Sequence, residues 1–416
     1  MKRGLIGYLA LEEKEEEIGY DLAELRELAR NIEIEVLDAV VQHRRPDPNY
    51  LLGEGKVWEI KERLPAEEIQ AVIFNRELSP RQVKHLEDLL EGAEIWDRTQ
   101  VILEIFRRRA QSREGKIQVE MARLTYLYPR IHGLGGVLSR LGGGIGTRGP
   151  GETKLEVLRR TVRRRIYQLK KELEEVQQNR EVLRSLRRER GLPVIALVGY
   201  TNAGKSTLLN ALSLSAHKVL VRDGLFATLD PVSRRIRLPS GRQALLTDTV
   251  GLVKDMPQKL KEAFKATLEE LFAADLLLHV IDLTSPYLDR QAAAVEEILQ
   301  EMGLADRPLL KVYNKIDQYR GVLPLDGVTI SALHGANLGE LLKQIEEKLF
   351  PPQEMTILVP FNRLGELARL RDRLEVVTEE YLPGGVEVKV RGRSRDLQKL
   401  RSRIKGDYPS DAETSL

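Results

Sequence analysis

The chain has 416 residues, of which 42% are hydrophobic and 31% charged, with no cysteine and six histidines. At roughly 100 to 200 residues per domain such a length predicts two to four domains, and the missing thiols exclude disulfides, thiolate zinc sites and cysteine nucleophiles. No stretch approaches the ~18 apolar residues of a membrane span, and Met1 to Glu17 lacks the apolar segment of a signal peptide, so a soluble, cytoplasmic protein is expected, as a monomer.

The formal net charge of +3 is unevenly spread. Residues 1–93 carry net −8, residues 94–190 net +11, and the remainder 30 basic against 30 acidic side chains. Such asymmetry points to one basic element facing a polyanion; a solvated charged helix face is the plainer alternative.

Taken in chain order, residues 1–97 alternate apolar strand-like runs (Gly4 to Leu11, Glu35 to Val41, Ala71 to Asn75, Ala93 to Trp96) with amphipathic stretches (Leu22 to Arg30, Lys56 to Leu64, Pro80 to Leu90). That order predicts a small α/β unit with a mostly parallel sheet. Residues 98–190 read as a helical hairpin. Its first arm runs from Arg98 to Tyr128, with Ile102, Ile105, Phe106, Met121 and Leu124 as candidate buried positions, and Pro129 ends it. The second, about Glu152 to Arg190, carries Leu155, Val162, Ile166, Leu169, Leu173 and Val176 at heptad-like spacings of 7, 4, 3, 4 and 3.

Between the arms, nine of the nineteen residues from Gly133 to Gly151 are glycine. A flexible connector is one reading. A helix hairpin needs only about 2 to 8 linking residues, however, and backbone amides freed by glycine beside Arg140, Arg148 and Lys154 suit contact with phosphate or RNA. Residues 191–350 resume strand and helix alternation, the pattern of a doubly wound α/β domain. A small βαβα unit is expected over 353–405, with strand Thr356 to Pro360, helix Arg363 to Val377, strand Val386 to Arg391 and a last helix, before a disordered tail at 406–416.

Chemistry concentrates in the doubly wound part. The apolar run Val194 to Val198 leads into Gly199-Tyr-Thr-Asn-Ala-Gly204-Lys205-Ser206, followed by helix-forming residues from Thr207. In this strand, loop and helix order the amides of Gly199 to Thr207, Asn202 and Ala203 included, can wrap phosphates, Lys205 can reach the outer ones, and Ser206 can ligate Mg²⁺. Asp248-Thr-Val-Gly251 closes a second apolar strand, with Asp248 placed to hold Mg²⁺ through water and the Gly251 amide placed for a γ-phosphate. Asn314-Lys315-Ile-Asp317 follows a third strand, where Asp317 can accept from the guanine N1–H and 2-amino groups that adenine lacks. Ser331-Ala332-Leu333 ends a fourth, its Ala332 amide in reach of guanine O6. Four ordered matches predict a GTP site with Lys205, Gly251 and Thr228 at the reacting phosphate.

Thr228 lies between the phosphate loop and Asp248, where a switch threonine completes a Mg²⁺ shell; a plain loop threonine is the alternative. Leu252 cannot hydrogen-bond an attacking water, so slow intrinsic hydrolysis is expected. The Asn202 carbonyl can ligate a monovalent cation such as K⁺ beside the phosphates, or Asn202 can simply stabilise its loop.

The sequence resembles the HflX family, ribosome-associated GTPases related to the Obg class. The resemblance rests on Gly143-Gly-Ile-Gly-Thr-Arg-Gly-Pro-Gly-Glu-Thr-Lys-Leu-Glu156, which lies outside the motifs all GTPases share. Tyr50 to Lys56, Asp97 to Phe106, Gln118 to Arg123, Tyr128 to Arg130, Phe226 to Pro231 and Asp248 to Leu252 add to it. It covers residues 1–350, the C-terminal unit resembling an extension of only some members. What it implies is binding to the large ribosomal subunit, with the hairpin and its glycine-rich loop on ribosomal RNA, and splitting or rescue of ribosomes under stress. The net +11 of residues 94–190 agrees with an RNA-facing element there. A GTP-dependent RNA-binding or assembly scaffold, with hydrolysis incidental, is the second reading.

Overall fold

Alternation of apolar strands with amphipathic helices over the first hundred residues builds the sheet that its order predicts. A computed structural model describes residues 1–131, 154–189, 192–215, 232–249, 251, 271–369, 374–392 and 394–405. Strands β1 (Lys2–Ala10), β2 (Ile34–His43), β3 (Ala71–Phe74) and β4 (Glu94–Asp97) lie parallel in the order β2-β1-β3-β4. Helices α1 (Glu15–Asn31), α2 (Glu54–Ala66) and α3 (Pro80–Leu89) make the crossovers. β1 is buried along most of its length because both faces are covered. Ile6, Tyr8 and Ala10 join Leu25 and Leu28 of α1 on one side. Leu5 and Leu9 join Val57 and Ile60 of α2 and Leu86 of α3 on the other.

The first arm of the hairpin is two helices rather than one, α4 (Arg98–Arg109) and α5 (Arg113–Leu127). Capping explains the break. Ser112 accepts from the Gly115 amide at 2.9 Å and restarts the helix, a role serine fills better than a mid-helix position. Asp97 caps α4 in the same way, accepting from the Gln100 amide at 2.9 Å. Helix α6 (Lys154–Glu189) runs back along α5: Tyr128 meets Arg163, Glu120 meets Arg165, and Ile117 packs with Leu169 and Leu173, so numbering falls on one helix as it rises on the other. Among the described residues, no helix is long and apolar enough to cross a membrane.

The second sheet has six strands in the order β10-β9-β8-β5-β7-β6. They are β5 (Val194–Val198), β6 (Val232–Arg237), β7 (Gln243–Asp248), β8 (Leu276–Asp282), β9 (Leu309–Asn314) and β10 (Gly327–Thr329). All pair parallel except β6, which is antiparallel to β7. β6 carries no apolar run that a sequence reading would detect: of its residues only Ile236 is buried, as suits an edge strand studded with Arg234, Arg235 and Arg237.

Residues 238–242 and 339–416 form a separate compact unit. Here the expected βαβα order is corrected. The helix stops at Ala368, and Leu374–Leu382 is a strand, β12, not the end of a helix. It forms an antiparallel hairpin with β13 (Gly385–Gly392), which also pairs with β11 (Gln353–Val359), giving the order β11-β13-β12. The β-branched residues Val376, Val377 and Thr378 followed by the turn residues Pro383 and Gly384 favour that hairpin over a helix. Val359, Val386, Val388 and Val390 pack there with Leu397 and Leu400 of the helix Ser394–Lys405. The tail 406–416 and the loop 133–151, with Arg140 and Arg148 and the side chain of Lys154, lie outside the described residues.

Asp97 fixes where the hairpin leaves the sheet. Fully buried, it accepts from the Leu78 amide at 3.0 Å and from the Tyr126 hydroxyl, and lies 3.6 Å from the Arg130 guanidinium, itself 3% exposed. Removing one partner of such a buried pair leaves the other charge stranded. Asp97→Ala should therefore cost about 3 kcal/mol, with Asp97→Asn costing less because it keeps an oxygen acceptor. An unchanged urea midpoint for Asp97→Ala would show that the network adds nothing to stability.

Candidate nucleotide-binding site

The phosphate loop is shaped by two glycines at the end of β5. Gly199 has φ +153° and a Cβ there would stand 2.2 Å from the Val280 carbonyl oxygen. Gly204, at φ +91°, would press a Cβ to 2.2 Å from the Asn314 amide nitrogen. Neither position accepts another residue without a shift, so the loop wraps closely under the start of α7 (Lys205–Leu212). Lys205 is 6% exposed, and its Nζ donates to the Gly199 carbonyl at 3.0 Å and the Tyr200 carbonyl at 2.7 Å. Burial lowers the ammonium to about 8, with the charge of Asp248 opposing. A bound polyphosphate beside it restores the preference for the charged form.

Ser206 and Asp248 come together as the sequence requires. The Ser206 hydroxyl donates to Asp248 Oδ2 at 2.5 Å, and Asp248 is fully buried at the end of β7. A hydroxyl and a carboxylate at that separation are oxygen donors suited to Mg²⁺. Among the described residues no group of three or more His, Asp and Glu side chains gathers, so a cation here would take further ligands from phosphate and water. Gly251 sits against the same loop: a Cβ on it would lie 2.8 Å from Thr201 Cγ2 and 3.4 Å from Lys205 Nζ. Thr207 continues α7, Ala203 is buried, and Asn202 is exposed at φ +62°, its side chain without a hydrogen bond to the described residues.

The segments expected to read the base meet this loop through Asn314. Its Nδ2 donates to the Ala203 carbonyl at 2.9 Å and its Oδ1 accepts from the Ala332 amide at 2.9 Å. That Ala332 amide, expected to reach guanine O6, is thus turned to Asn314. Ser331 and Ala332 are buried and Leu333 is 70% exposed at the rim. Asp317 stays partly open, its carboxyl held below the usual range first by the Ser331 hydroxyl, so it remains an ionised acceptor at neutral pH.

Lys315 turns at φ +68° and donates to Asp282 Oδ2 at 2.6 Å. Asp282 was missed by the sequence reading although it ends the central strand β8, and the carboxyl ends of parallel strands are where ligands bind. Also missed was Glu24, which accepts from the Tyr200 hydroxyl across 176 residues of sequence and left no local signal. Thr228 and Leu252 lie outside the described residues.

Residues 19–107 match a family described as GTP-binding GTPase N-terminal, residues 109–187 the GTP-binding GTPase middle region, and residues 194–315 a 50S ribosome-binding GTPase family. GTPase HflX of Caldanaerobacter subterraneus subsp. tengcongensis is 46% identical over 388 residues, 92% of this chain and 90% of its own length. GTPase HflX of Escherichia coli K12 is 39% identical over 405 residues, 91% of each chain. A crystal structure of a GTP-binding protein from Sulfolobus solfataricus in complex with GDP shares 28% identity over 84% of this chain and 99% of that one, with a TM-score of 0.43. On the strength of these curated relatives and of the matched GTPase regions, the chain belongs to the HflX family of GTPases, which bind and hydrolyse GTP.

Proposed function

We propose that this GTPase uses its nucleotide cycle to control binding to the large ribosomal subunit, and that its work there is splitting or rescue of ribosomes under stress. The observation that carries this reading is the charge partition, net +11 on residues 94–190 between an acidic and a neutral region. Exposed Arg160, Arg163, Arg164, Lys170 and Lys171 on α6 support it, since a basic stripe along one helix is the electrostatic footprint of a nucleic-acid contact. The name of the family matched by residues 194–315, a 50S ribosome-binding GTPase, points the same way. On this reading the protein works in the cytoplasm, where its partner is.

Residue roles follow from chemistry. Lys205 and the Gly251 amide bind the outer phosphate, with Thr228 as the switch threonine beside it. Ser206, Asp248 and Thr228 hold Mg²⁺. The ion, when bound, neutralises charge on the β- and γ-phosphates. Asp317 accepts from guanine while Asn314 holds the phosphate loop against the base-reading segments. Lys315, fixed by Asp282, covers the base side. Arg140, Arg148 and Lys154 meet RNA phosphates.

Three experiments test these roles. Asp317→Asn should weaken GTP binding and shift preference toward xanthine nucleotides, whose extra carbonyl suits an amide donor, as read by competition with a fluorescent nucleotide. Unchanged GTP affinity would remove Asp317 from the base site. If the Asn202 carbonyl helps hold K⁺ near the phosphates, turnover should be faster in K⁺ than in Na⁺ at equal ionic strength, and Asn202→Ala, which disturbs the left-handed loop residue, should abolish the difference. Equal rates in both salts would leave Asn202 as a loop residue. Replacing Arg140, Arg148 and Lys154 together by Ala should leave GTP affinity and melting temperature nearly unchanged, while weakening cosedimentation with large subunits, flattening its salt dependence and reducing any stimulation of turnover by them. A triple variant that pelleted like the parent at every salt concentration would exclude the loop as the RNA contact.

A further inference from the structure

Tyr200 is the second residue of the phosphate loop, yet its side chain belongs to the N-terminal sheet unit. The ring is 5% exposed, and the hydroxyl donates to Glu24 Oε2 at 2.5 Å. Glu24 lies on α1, 7% exposed, and its other oxygen is paired with the guanidinium of Arg98, the first residue of α4. A carboxylate this deep is costly unless each oxygen has a partner, so the Glu24 and Arg98 pair defines where the Tyr200 hydroxyl must be. Around it, Tyr20 of α1 packs on Tyr287 with ring centroids 4.3 Å apart and receives a bond from Gln291 at 3.4 Å. Val198 and Tyr200 share one apolar core with Ile6, Leu25 and Leu28, so loop and N-terminal sheet meet through packed side chains.

The backbone of the same residue serves the nucleotide site. Its carbonyl accepts from Lys205 Nζ at 2.7 Å, the shorter of the two bonds that aim the lysine. Hydroxyl and carbonyl of one residue therefore have separate partners, Glu24 on α1 and the Lys205 ammonium.

We propose that Tyr200 is a positioning residue for GTP, held by the Glu24 and Arg98 pair, so that nucleotide affinity is set in part from outside the nucleotide-binding sheet. The inference rests on GTP binding and is independent of any ribosomal partner. Linkage makes the effect reciprocal: whatever shifts α1 or α4 changes nucleotide affinity, and nucleotide occupancy biases α1 and α4 by the same factor. Because Lys205 grips phosphate before and during reaction, a misplaced loop should act on KM more than on kcat.

The test uses the full-length chain. Tyr200→Phe removes only the hydroxyl; a hydrogen bond to a charged group supports a shift of about tenfold, seen as faster release of a fluorescent GDP analogue and a raised KM for GTP, with kcat reduced less than KM is raised. Glu24→Gln, which also weakens the pair with Arg98, should shift both in the same direction, and the double variant should be no weaker than the stronger single one, because Glu24 reaches the phosphate loop through the Tyr200 hydroxyl. Gln291→Ala, at the same contact but off the loop, should lower the melting temperature without changing nucleotide release. Unaltered release and KM in Tyr200→Phe, even with a lowered melting temperature, would reduce the bond to domain packing. Fold-changes of Tyr200→Phe and Glu24→Gln that multiply in the double variant would show that Glu24 does not act through Tyr200. Should Tyr200→Phe fail to fold, Glu24→Gln alone decides, with unchanged release overturning the proposal.

Discussion

Asn314 donates to the Ala203 carbonyl and accepts from the Ala332 amide, each at 2.9 Å, so one buried side-chain amide ties the phosphate loop to the turns that follow β9 and β10. The remaining geometry of the site depends on that junction. Gly204 is confined beneath it, since a Cβ would stand 2.2 Å from the same amide nitrogen, and Lys205 follows Gly204 directly into α7. An amide is well suited to the task because it donates and accepts at fixed separation, whereas a carboxylate at 314 would meet the Ala203 carbonyl with a second acceptor. The nucleotide-binding segments come from strands far apart in sequence, and the parallel sheet brings their carboxyl ends to one edge.

One buried charge network connects the phosphate loop to the N-terminal sheet, and a second lies beside it in sequence, within the N-terminal part. Glu24 with Arg98 receives the Tyr200 hydroxyl, and Asp97 with Arg130 receives Tyr126. Asp97 and Arg98 are adjacent, at the junction of β4 and α4, so the residue that caps the helix stands next to the residue that pairs with Glu24. Helix α5 follows directly and packs along the basic helix α6. A buried ion pair contributes little net stability compared with apolar packing, but it is intolerant of displacement, which suits a junction whose geometry matters.

The differences between expectation and structure have separate physical causes. β6 escaped detection because an edge strand needs little apolar surface, and three of its six residues are arginine. The helix expected from Arg363 to Val377 overran the first four residues of β12, Leu374 to Val377, where pairing along β13 and the turn at Pro383 and Gly384 decide for strand. The break between α4 and α5 turns on one serine cap, whose effect of about 1 kcal/mol is invisible to apolar periodicity.

By itself the sequence determined the alternating architecture of the first and central regions, the phosphate loop and its companion motifs, and the hairpin seam, because each depends on local order: periods of 2 and 3.6, glycine spacing, and a strand that ends in a functional residue. Family membership was legible for the same reason, in contiguous stretches such as Gly143 to Glu156. Tertiary structure alone decided that Asn314 braces two loops, that the Ala332 amide turns to Asn314, that Asp282 fixes Lys315, and that Tyr200 reaches Glu24. Each rests on one or two hydrogen bonds between residues at least 18 positions apart. Such a bond has no periodicity and no motif: its partners become neighbours only after strands have been ordered in a sheet, and burial then makes the pairing obligatory.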